Sequence, residues 1–526
     1  MAPIAILAAL LAIPIGLSAQ EIYVTGTVRD ADTGAAVEGV AVQVVGLTGG
    51  TFTNTNGQYR IQAPSDGRLQ FSRIGYAPVE VDIDGRTAVD VVLSVEATQL
   101  NALVVTGYQT QRRGDITSAV STVNTDAIEI ETTASVLQRL DGAVPGVVVE
   151  NSGSPGSRST VRIRGVSSFQ NNDPLYIIDG QPVEESYANF LNPHDVENIQ
   201  VLKDASAASI YGSRASNGVI IITTKKGQQG GAPQFNVDAR FGLSQPTRGY
   251  DDFLLSDPLD YFEFVRRRYE NAGQDVPGWL TALYGDPNNP SIPEYIYAPA
   301  DVGDRDQWGR ITNVDESLYA YPNTLIMPGS EGTNWWDEVF GTGEVRDVNV
   351  SVRGGSQNAR YAIGLNYFDQ IGTAIYNEFE RGTVRVNTDF TSGRLTIGEN
   401  LTVAVEESYG GMSDPDGYAE DGIIGKNILQ QPIIPVYDIA GNYASGKATG
   451  LGNNTNPVKI AENGKDNKNY NTRIFGNVFL RFALTDWLDA NSSFGVNRGD
   501  GTWYGYNPIF PENSEPNLVD NIYEGQ

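Results

Sequence analysis

The 526-residue sequence contains no cysteine, so it has no disulfide framework and no thiolate metal site. It has a single histidine, His194, which leaves no multi-histidine metal site and no ordinary histidine-based triad to build. Methionine is rare, with 3 residues. Positive charge is scarce: 36 Lys and Arg stand against 64 Asp and Glu, a net charge of −28. That balance excludes a nucleic-acid-binding surface. Long apolar runs are also missing beyond the N-terminus, so no segment is long enough to cross a membrane as a helix of ~20 residues. What is abundant is glycine (58) and tyrosine (26), a composition suited to a β-rich chain with many turns.

The apolar N-terminal run from Ile4 to Leu17 ends in Ser18-Ala19. It reads as a secretory signal over residues 1–19, although no Lys or Arg precedes it. Residues 20–96 read as a small β-sandwich. Val40, Val42 and Val44 alternate with Ala41 and Gln43, and turn signals such as Asp84-Gly85 recur between short strands. Residues 97–111 form a linker whose centre, Leu103-Val104-Val105, is β-prone. It is either a strand free to extend a partner's sheet or the last strand of the sandwich. Residues 112–230 mix helix and strand. Thr133–Leu140 has helical spacing, and strands are expected at Val147–Glu150, Thr160–Arg164, Leu175–Asp179, Ile199–Leu202 and Val219–Thr224.

The stretch KDASAASIYGSRASNGVIIITTKKG (203–227) has the glycines of a phosphate loop. Its order is reversed, however, because a helix-like Asp204–Ile210 precedes the strand and no Ser or Thr follows a Gly-Lys pair. It is therefore not a nucleotide cradle.

From residue 231 the pattern becomes about ten-residue segments of strict alternation. In Phe235–Leu243, Phe235, Val237, Ala239, Phe241 and Leu243 oppose Asn236, Asp238 and Arg240. Six more segments follow, at Val348–Arg353, Tyr361–Tyr367, Val384–Phe390, Leu395–Val405, Ile474–Phe482 and Leu488–Val496. The connections alternate long (244–347, 368–383, 406–473) with short (354–360, 391–394, 483–487). A transmembrane barrel has this rhythm, and only a closed barrel satisfies every backbone group in lipid. Seven strands are too few for closure, so further strands are expected beyond Gln526, which this reading places in a polar loop.

Several of these segments resemble known families. TGTVRDADTGAAVEGVAVQVVG, TNGQYRI and LQFSRIGY are similar to the carboxypeptidase regulatory-like domain, a non-catalytic sandwich. VRIRGVSSFQNNDPLYIIDGQPV (161–183), LNPHDVENIQVLKDASAASIYGSRASNGVIIITTKKG (191–227) and TNWWDEVF (333–340) resemble the SusC/RagA type of TonB-dependent outer-membrane transporter of Bacteroidota. The resemblance covers nearly the whole chain. It implies a mainly β architecture of N-terminal β-sandwich, α+β plug domain (112–230) and the first part of a large antiparallel transmembrane β-barrel (231–526), of the 22-stranded type when complete. It turns 203–227 into the end of the plug. The plug motif then comprises Arg162, Arg164, Gly165, Asp179, Gly180, Lys203, Asp204, Tyr211, Gly212, Arg214, Asn217 and Gly218. Arg162 and Arg164 are expected to face the lumen and pair with barrel acids. Lys225-Lys226 would mark the hand-over from plug to barrel.

The resemblance also reads Leu103, Val104, Val105, Thr106 and Gly107 as a TonB box, with Asn101-Ala102 in place of the usual acidic pair. It implies active import of an oligosaccharide or peptide, not catalysis, with no cofactor. The implied partners are TonB with its inner-membrane energising complex, a SusD-like surface lipoprotein and outer-membrane lipid. The chain would lie in the outer membrane with its N-terminal domain in the periplasm. Trp335 and Trp336 are either sugar- or partner-facing aromatics or loop packing. His194, in Asn192-Pro193-His194-Asp195, reads as a turn residue. The competing readings are a siderophore- or cobalamin-type receptor, a non-transporting surface-binding protein and an enzyme. The absence of a nucleophile elbow and the single histidine weigh against the last.

Overall fold

The computed structural model describes residues 21–525, apart from 32–33, 46–49, 74–75, 95–102, 107–108, 113–119, 124–131, 152, 167–168, 170, 205–208, 229, 231, 247–250, 411–421, 453 and 510–520. The N-terminal signal read at residues 1–19 lies outside the described residues. The chain divides into two units, up to Thr117 and from Ser118 onward.

The first unit is a sandwich of seven strands: β1 (Glu21–Asp30), β2 (Ala41–Val44), β3 (Gly50–Phe52), β4 (Gln58–Pro64), β5 (Arg68–Arg73), β6 (Tyr76–Asp82) and β7 (Val91–Leu93). They form one sheet of order β4-β1-β7 and a second of order β3-β2-β5-β6. The alternating valines supply the layer between them, with Val24, Val28, Val40, Val42, Leu69 and Phe71 all fully buried. A separate hairpin follows, β8 (Leu103–Thr106) against β9 (Gln109–Arg112).

The second unit begins with β10 (Val120–Val123), β11 (Val147–Asn151), β12 (Ser159–Ile163), β13 (Leu175–Ile178), β14 (Gln181–Val183), β15 (Val196–Leu202) and β16 (Val219–Thr224). Five of these make a mixed sheet of order β10-β15-β16-β13-β14. The run Val219-Ile220-Ile221-Ile222 is apolar on both faces because β16 lies at the centre of that sheet, parallel to β13 and antiparallel to β15. The helix expected at Thr133–Leu140 is reduced to a turn and a single 3-10 turn at Gln138–Leu140. The Ser135 hydroxyl accepts the Leu137 backbone N–H, which offers that group a local partner in place of an α-helical one. Val136, Leu137 and Leu140 are nevertheless buried in the plug core.

β17 (Gln234–Ser244) opens the large sheet. A long connection then carries the short strands β18 (Tyr295–Tyr297), β19 (Asp304–Arg305), β20 (Ile311–Thr312) and β21 (Met327–Pro328). β22 (Gly343–Gly355), β23 (Ala359–Ile371), β24 (Glu378–Ser392), β25 (Leu395–Tyr409), β26 (Lys468–Thr485), β27 (Leu488–Asn507) and β28 (Asn521–Gly525) complete it. All eight pair antiparallel with their sequence neighbours in the sheet.

Three expectations are corrected here. Residues 521–525 are an eighth strand paired with β27, not part of a polar loop. The full strands are also longer than the alternating segments, reaching 20 residues in Leu488–Asn507. Toward their ends the alternation breaks, with apolar side chains such as Phe368 and Phe379 on the buried face among polar neighbours. For the same reason the connection read at 368–383 shrinks to 372–377.

The two long connections, 245–342 and 410–467, fold together. Phe262, Leu280, Tyr284, Trp335, Val339, Ile433, Ile434 and Val458 share one apolar core. The three tightest turns, 356–358, 393–394 and 486–487, all lie at the other end of the sheet.

Candidate functional site

The burial of the eight-stranded sheet is inverted relative to a water-soluble sandwich. On one face Asp347, Asn349, Asn366, Arg381, Thr383, Arg385, Asn387, Asn400 and Asn477 are buried. On the other, Val348, Val350, Leu365, Tyr367, Val384, Phe390, Leu401, Val405 and Val478 are 40–54% exposed. The alternation of each strand therefore points its polar set inward and its apolar set outward, the pattern of a wall that faces lipid. No helix among the described residues is long and apolar enough to span a membrane, which says nothing against crossing by strands.

What buries the polar face is the domain built on β10–β16. The turn Asn192-Pro193-His194-Asp195 reaches the wall at three points. Asn192 Nδ2 donates to Asn349 Oδ1 at 3.1 Å, His194 Nε2 lies 2.8 Å from Asp347 Oδ2, and Asp195 Oδ1 lies 2.8 Å from Arg385 Nε. The turn holds its shape because Asn192 Oδ1 accepts the His194 backbone N–H. His194 is thus a turn residue, as the sequence suggests, but its ring also bonds the wall. No spacing rule pairs it with an aspartate 153 positions away. At the end of β16, the Lys225 carbonyl accepts from Arg385 Nη1 (2.6 Å) and Asn387 Nδ2 (3.0 Å). The hand-over at Lys225-Lys226 is therefore tied to the wall through its backbone. Asn477 Nδ2 reaches the Asp179 carbonyl at 3.2 Å, and Gln181 Nε2 donates to Ser493 Oγ at 3.0 Å.

The motif residues sort by role. Arg162 and Arg164 do not pair with wall acids. Arg162 pairs with Asp173, and Arg164 Nη2 donates to Asp204 Oδ1 at 2.6 Å. Both carboxylates belong to the plug itself. The reason is direction. Val161 and Ile163 are taken by the plug core, so the alternate residues leave on the face away from it, and Arg164 and Gly165 then turn the chain at φ +58° and +91°. Asp179-Gly180 is a two-residue hairpin loop between Ile178 and Gln181, both residues at positive φ, the type I′ turn that Asp-Gly favours. The Asp179 carboxylate also accepts from Thr224 N and Oγ1, at 2.9 and 2.7 Å, tying that hairpin to the end of β16.

Lys203 Nζ donates to the Pro145 carbonyl, and Asn217 Nδ2 to the carbonyls of Asn171 and Asp173. Of the helix expected at Asp204–Ile210, residues 205–208 lie outside the described residues, and Ser209–Ala215 forms two 3-10 turns kinked at Gly212 (φ 70°). Tyr211 is half-buried there and Arg214 is exposed. Gly218 sits at φ +90° where an added Cβ would lie 2.8 Å from Ile163 Cδ1 and 3.0 Å from the Leu202 carbonyl.

Leu103–Thr106 does not join either sheet of the sandwich. It pairs with Gln109–Arg112 in the register Leu103–Arg112 to Thr106–Gln109. Gly107 lies outside the described residues. Trp335 is 2% exposed and its Nε1 donates to the Gln431 carbonyl, so it is loop packing and has no free face for a sugar. Trp336 stacks on Phe340 with ring centres 4.3 Å apart.

Residues 112–219 match the TonB-dependent receptor plug domain, and residues 24–105 match the CarboxypepD_reg-like domain. Together with the inverted wall, these define the class: the chain carries a plug domain of the TonB-dependent receptor kind. Its similarity lies with the SusC/RagA type. TonB-dependent receptor SusC of Bacteroides thetaiotaomicron is 31% identical over 517 residues, 92% of this chain and 45% of that protein. TonB-dependent receptor P3 of Formosa agariphila is 30% identical over 91% of this chain and 42% of its own length. The RagAB peptide importer in its closed-closed state shares the fold, with a TM-score of 0.60, 24% identity and coverage of 76% of this chain and 43% of that one. The chain thus spans less than half the length of these relatives. Those relatives are receptors and transporters, not enzymes.

Proposed function

We propose that the protein imports a nutrient oligomer, an oligosaccharide or a peptide, across the outer membrane, driven by TonB. The observation that carries this reading is the folded domain 120–224 held by side-chain hydrogen bonds against the polar face of a sheet whose other face is apolar and exposed. Such a sheet suits a lipid boundary on one side and a water-filled path on the other. The plug blocks that path, so passage requires force to move it.

In this reading residues 1–19 are the export signal, and the sandwich 20–96 and linker 97–111 are periplasmic. Residues 112–230 are the plug and 231–526 the barrel-forming part. Leu103–Gly107 is the TonB box. TonB recruits it by strand addition, in which main-chain hydrogen bonds supply the affinity. The hairpin seen here uses one edge of that strand and must be opened or extended when TonB binds. The plug motif residues Arg162, Arg164, Asp179, Lys203, Asp204 and Asn217 hold the plug together internally.

A SusD-like lipoprotein acts as the lid. The folded long loops support this, because they present Phe253, Phe264, Ile428 and Leu429, 45–85% exposed, around a 390 Å3 depression. An apolar rim of that kind suits a protein partner.

Val105→Pro tests the energised step. Proline removes the N–H that strand pairing needs. Uptake by the mutant is expected to be lost while the protein still reaches the outer membrane. Full uptake would refute the TonB-box assignment. Purification from native membranes tests the partner: a stoichiometric lipoprotein supports the lid, whereas a receptor recovered alone with an iron chelate or cobalamin would overturn the nutrient-oligomer reading.

A further inference from the structure

Between the plug and the wall lies a cavity of about 750 Å3. Three arginines line it, Arg158, Arg381 and Arg473, against one carboxylate, Glu406. In a chain of net charge −28 this is a local excess of positive charge.

Arg381 is the more unusual cation. It is 2% exposed and projects from the middle of the wall. Its Nη1 donates to the Ala134 carbonyl at 2.6 Å, and its guanidinium carbon lies 5.6 Å from the centre of the Phe368 ring. Its Nε and Nη2 are buried with no hydrogen-bond partner, and among the described residues it forms no ion pair. Of the nearby acids, Asp347 is engaged with His194 and Asp195 with Arg385, which leaves Glu406, the cross-strand neighbour of Arg381, to be shared with Arg473. Arg473 is 9% exposed, its Nε also lacks a hydrogen-bond partner, and its nearest carboxylate oxygen, on Glu406, is 3.6 Å away. Two buried guanidinium groups that share one carboxylate leave an excess positive charge, which is costly, and the cost is recovered when an anion docks. The planar fork of arginine matches a carboxylate in two hydrogen bonds.

The other lining groups refine the ligand. Asn469 and Asn471 offer side-chain amides and Trp503 an aromatic face. Amides suit sugar hydroxyls, and an aromatic face suits the C–H side of a pyranose. Resting on the import reading above, we propose that this cavity holds a uronic-acid unit of an acidic oligosaccharide, with its carboxylate on Arg381 and Arg473.

The test is calorimetric titration of the receptor, purified from native membranes into lipid nanodiscs, with tri-galacturonate, neutral galactotriose and a tri-aspartate peptide. No TonB is present, so a failure here leaves the transport reading to its own uptake assay. Tri-galacturonate is expected to bind about tenfold or more tightly than galactotriose, with an affinity that falls at high salt. Arg381→Gln is expected to remove that preference and leave galactotriose binding unchanged. Arg158→Gln, at an exposed position, and Arg473→Gln are expected to weaken tri-galacturonate in the same direction, and they keep the test open should Arg381→Gln fail to assemble. Equal binding of the charged and neutral sugars, tighter binding of the peptide, or unchanged affinity in the arginine variants would overturn the proposal.

Discussion

Asp195 Oδ1 and Arg385 Nε lie 2.8 Å apart with both side chains 3% exposed, and this pair joins the plug to the wall. Arg385 also holds the Lys225 carbonyl, so one guanidinium clamps two segments of the plug. Removing one partner of a buried pair strands the other charge, at a cost of about 3–5 kcal/mol. Arg385→Gln is therefore expected to make the plug susceptible to protease in the folded receptor. The double variant Asp195→Asn with Arg385→Gln should recover part of that resistance, because no unpaired charge remains. Wild-type resistance in the single variant would show that the clamp does not hold the plug.

Arg164 gives the contrasting case. Its partner is Asp204, within the plug, and its side chain is 56% exposed. Exposed pairs contribute about 1 kcal/mol or less. Charge reversal by Arg164→Glu is expected to leave plug seating close to wild type, well short of the Arg385→Gln effect. A proteolysis rate equal to that of Arg385→Gln would contradict the internal pairing.

Gly218 is a steric prediction. At φ +90°, with Ile163 Cδ1 and the Leu202 carbonyl in the place a Cβ would take, Gly218→Ala adds backbone strain to a clash. The expected loss is about 1–3 kcal/mol. Hydrogen exchange at Val219–Thr224 should accelerate in this variant. Gly180→Ala, where nothing lies within 4 Å of the added carbon, carries the φ term alone and should cost less.

Glu185 supplies a pH dependence. Burial, reinforced by Asp173, raises its pKa above the ordinary value of about 4.3, and its Oε1 is buried without a hydrogen-bond partner. A raised carboxyl pKa means that the folded plug binds the proton more tightly than the unfolded chain. Stability from this group is present below the unfolded pKa and falls as pH rises through the folded one. Glu185→Gln is expected to flatten that slope and to protect the plug at neutral pH, read as slower hydrogen exchange across the plug sheet. An unchanged pH slope would remove Glu185 as its source.

Much of the architecture is local and was legible without coordinates. Period-two alternation marks a strand wherever it occurs, and it located seven of the eight strands of the large sheet. The apolar Val219–Ile222 run marked a strand, but that it is buried on both faces, and that Asp179-Gly180 turns a hairpin, came from the structure. The strand ends were not legible, because there the alternation breaks, as where Phe368 and Phe379 turn to the buried face. β28 escaped because it is a short strand whose only evidence is its pairing with β27.

What the tertiary structure alone decided is which groups meet. Alternation says that a strand has two faces, but it does not say which face is inside. The buried asparagines and arginines of the wall become interior only because a folded plug covers them. The partners of Arg162 and Arg164 followed from the direction in which the core leaves those side chains. The contacts of His194 with Asp347, Asp195 with Arg385 and Arg381 with Ala134 join residues more than 150 positions apart. Such pairings depend on sheet register and on how the plug is seated, and a shift of one residue in register would turn each of these side chains to the opposite face.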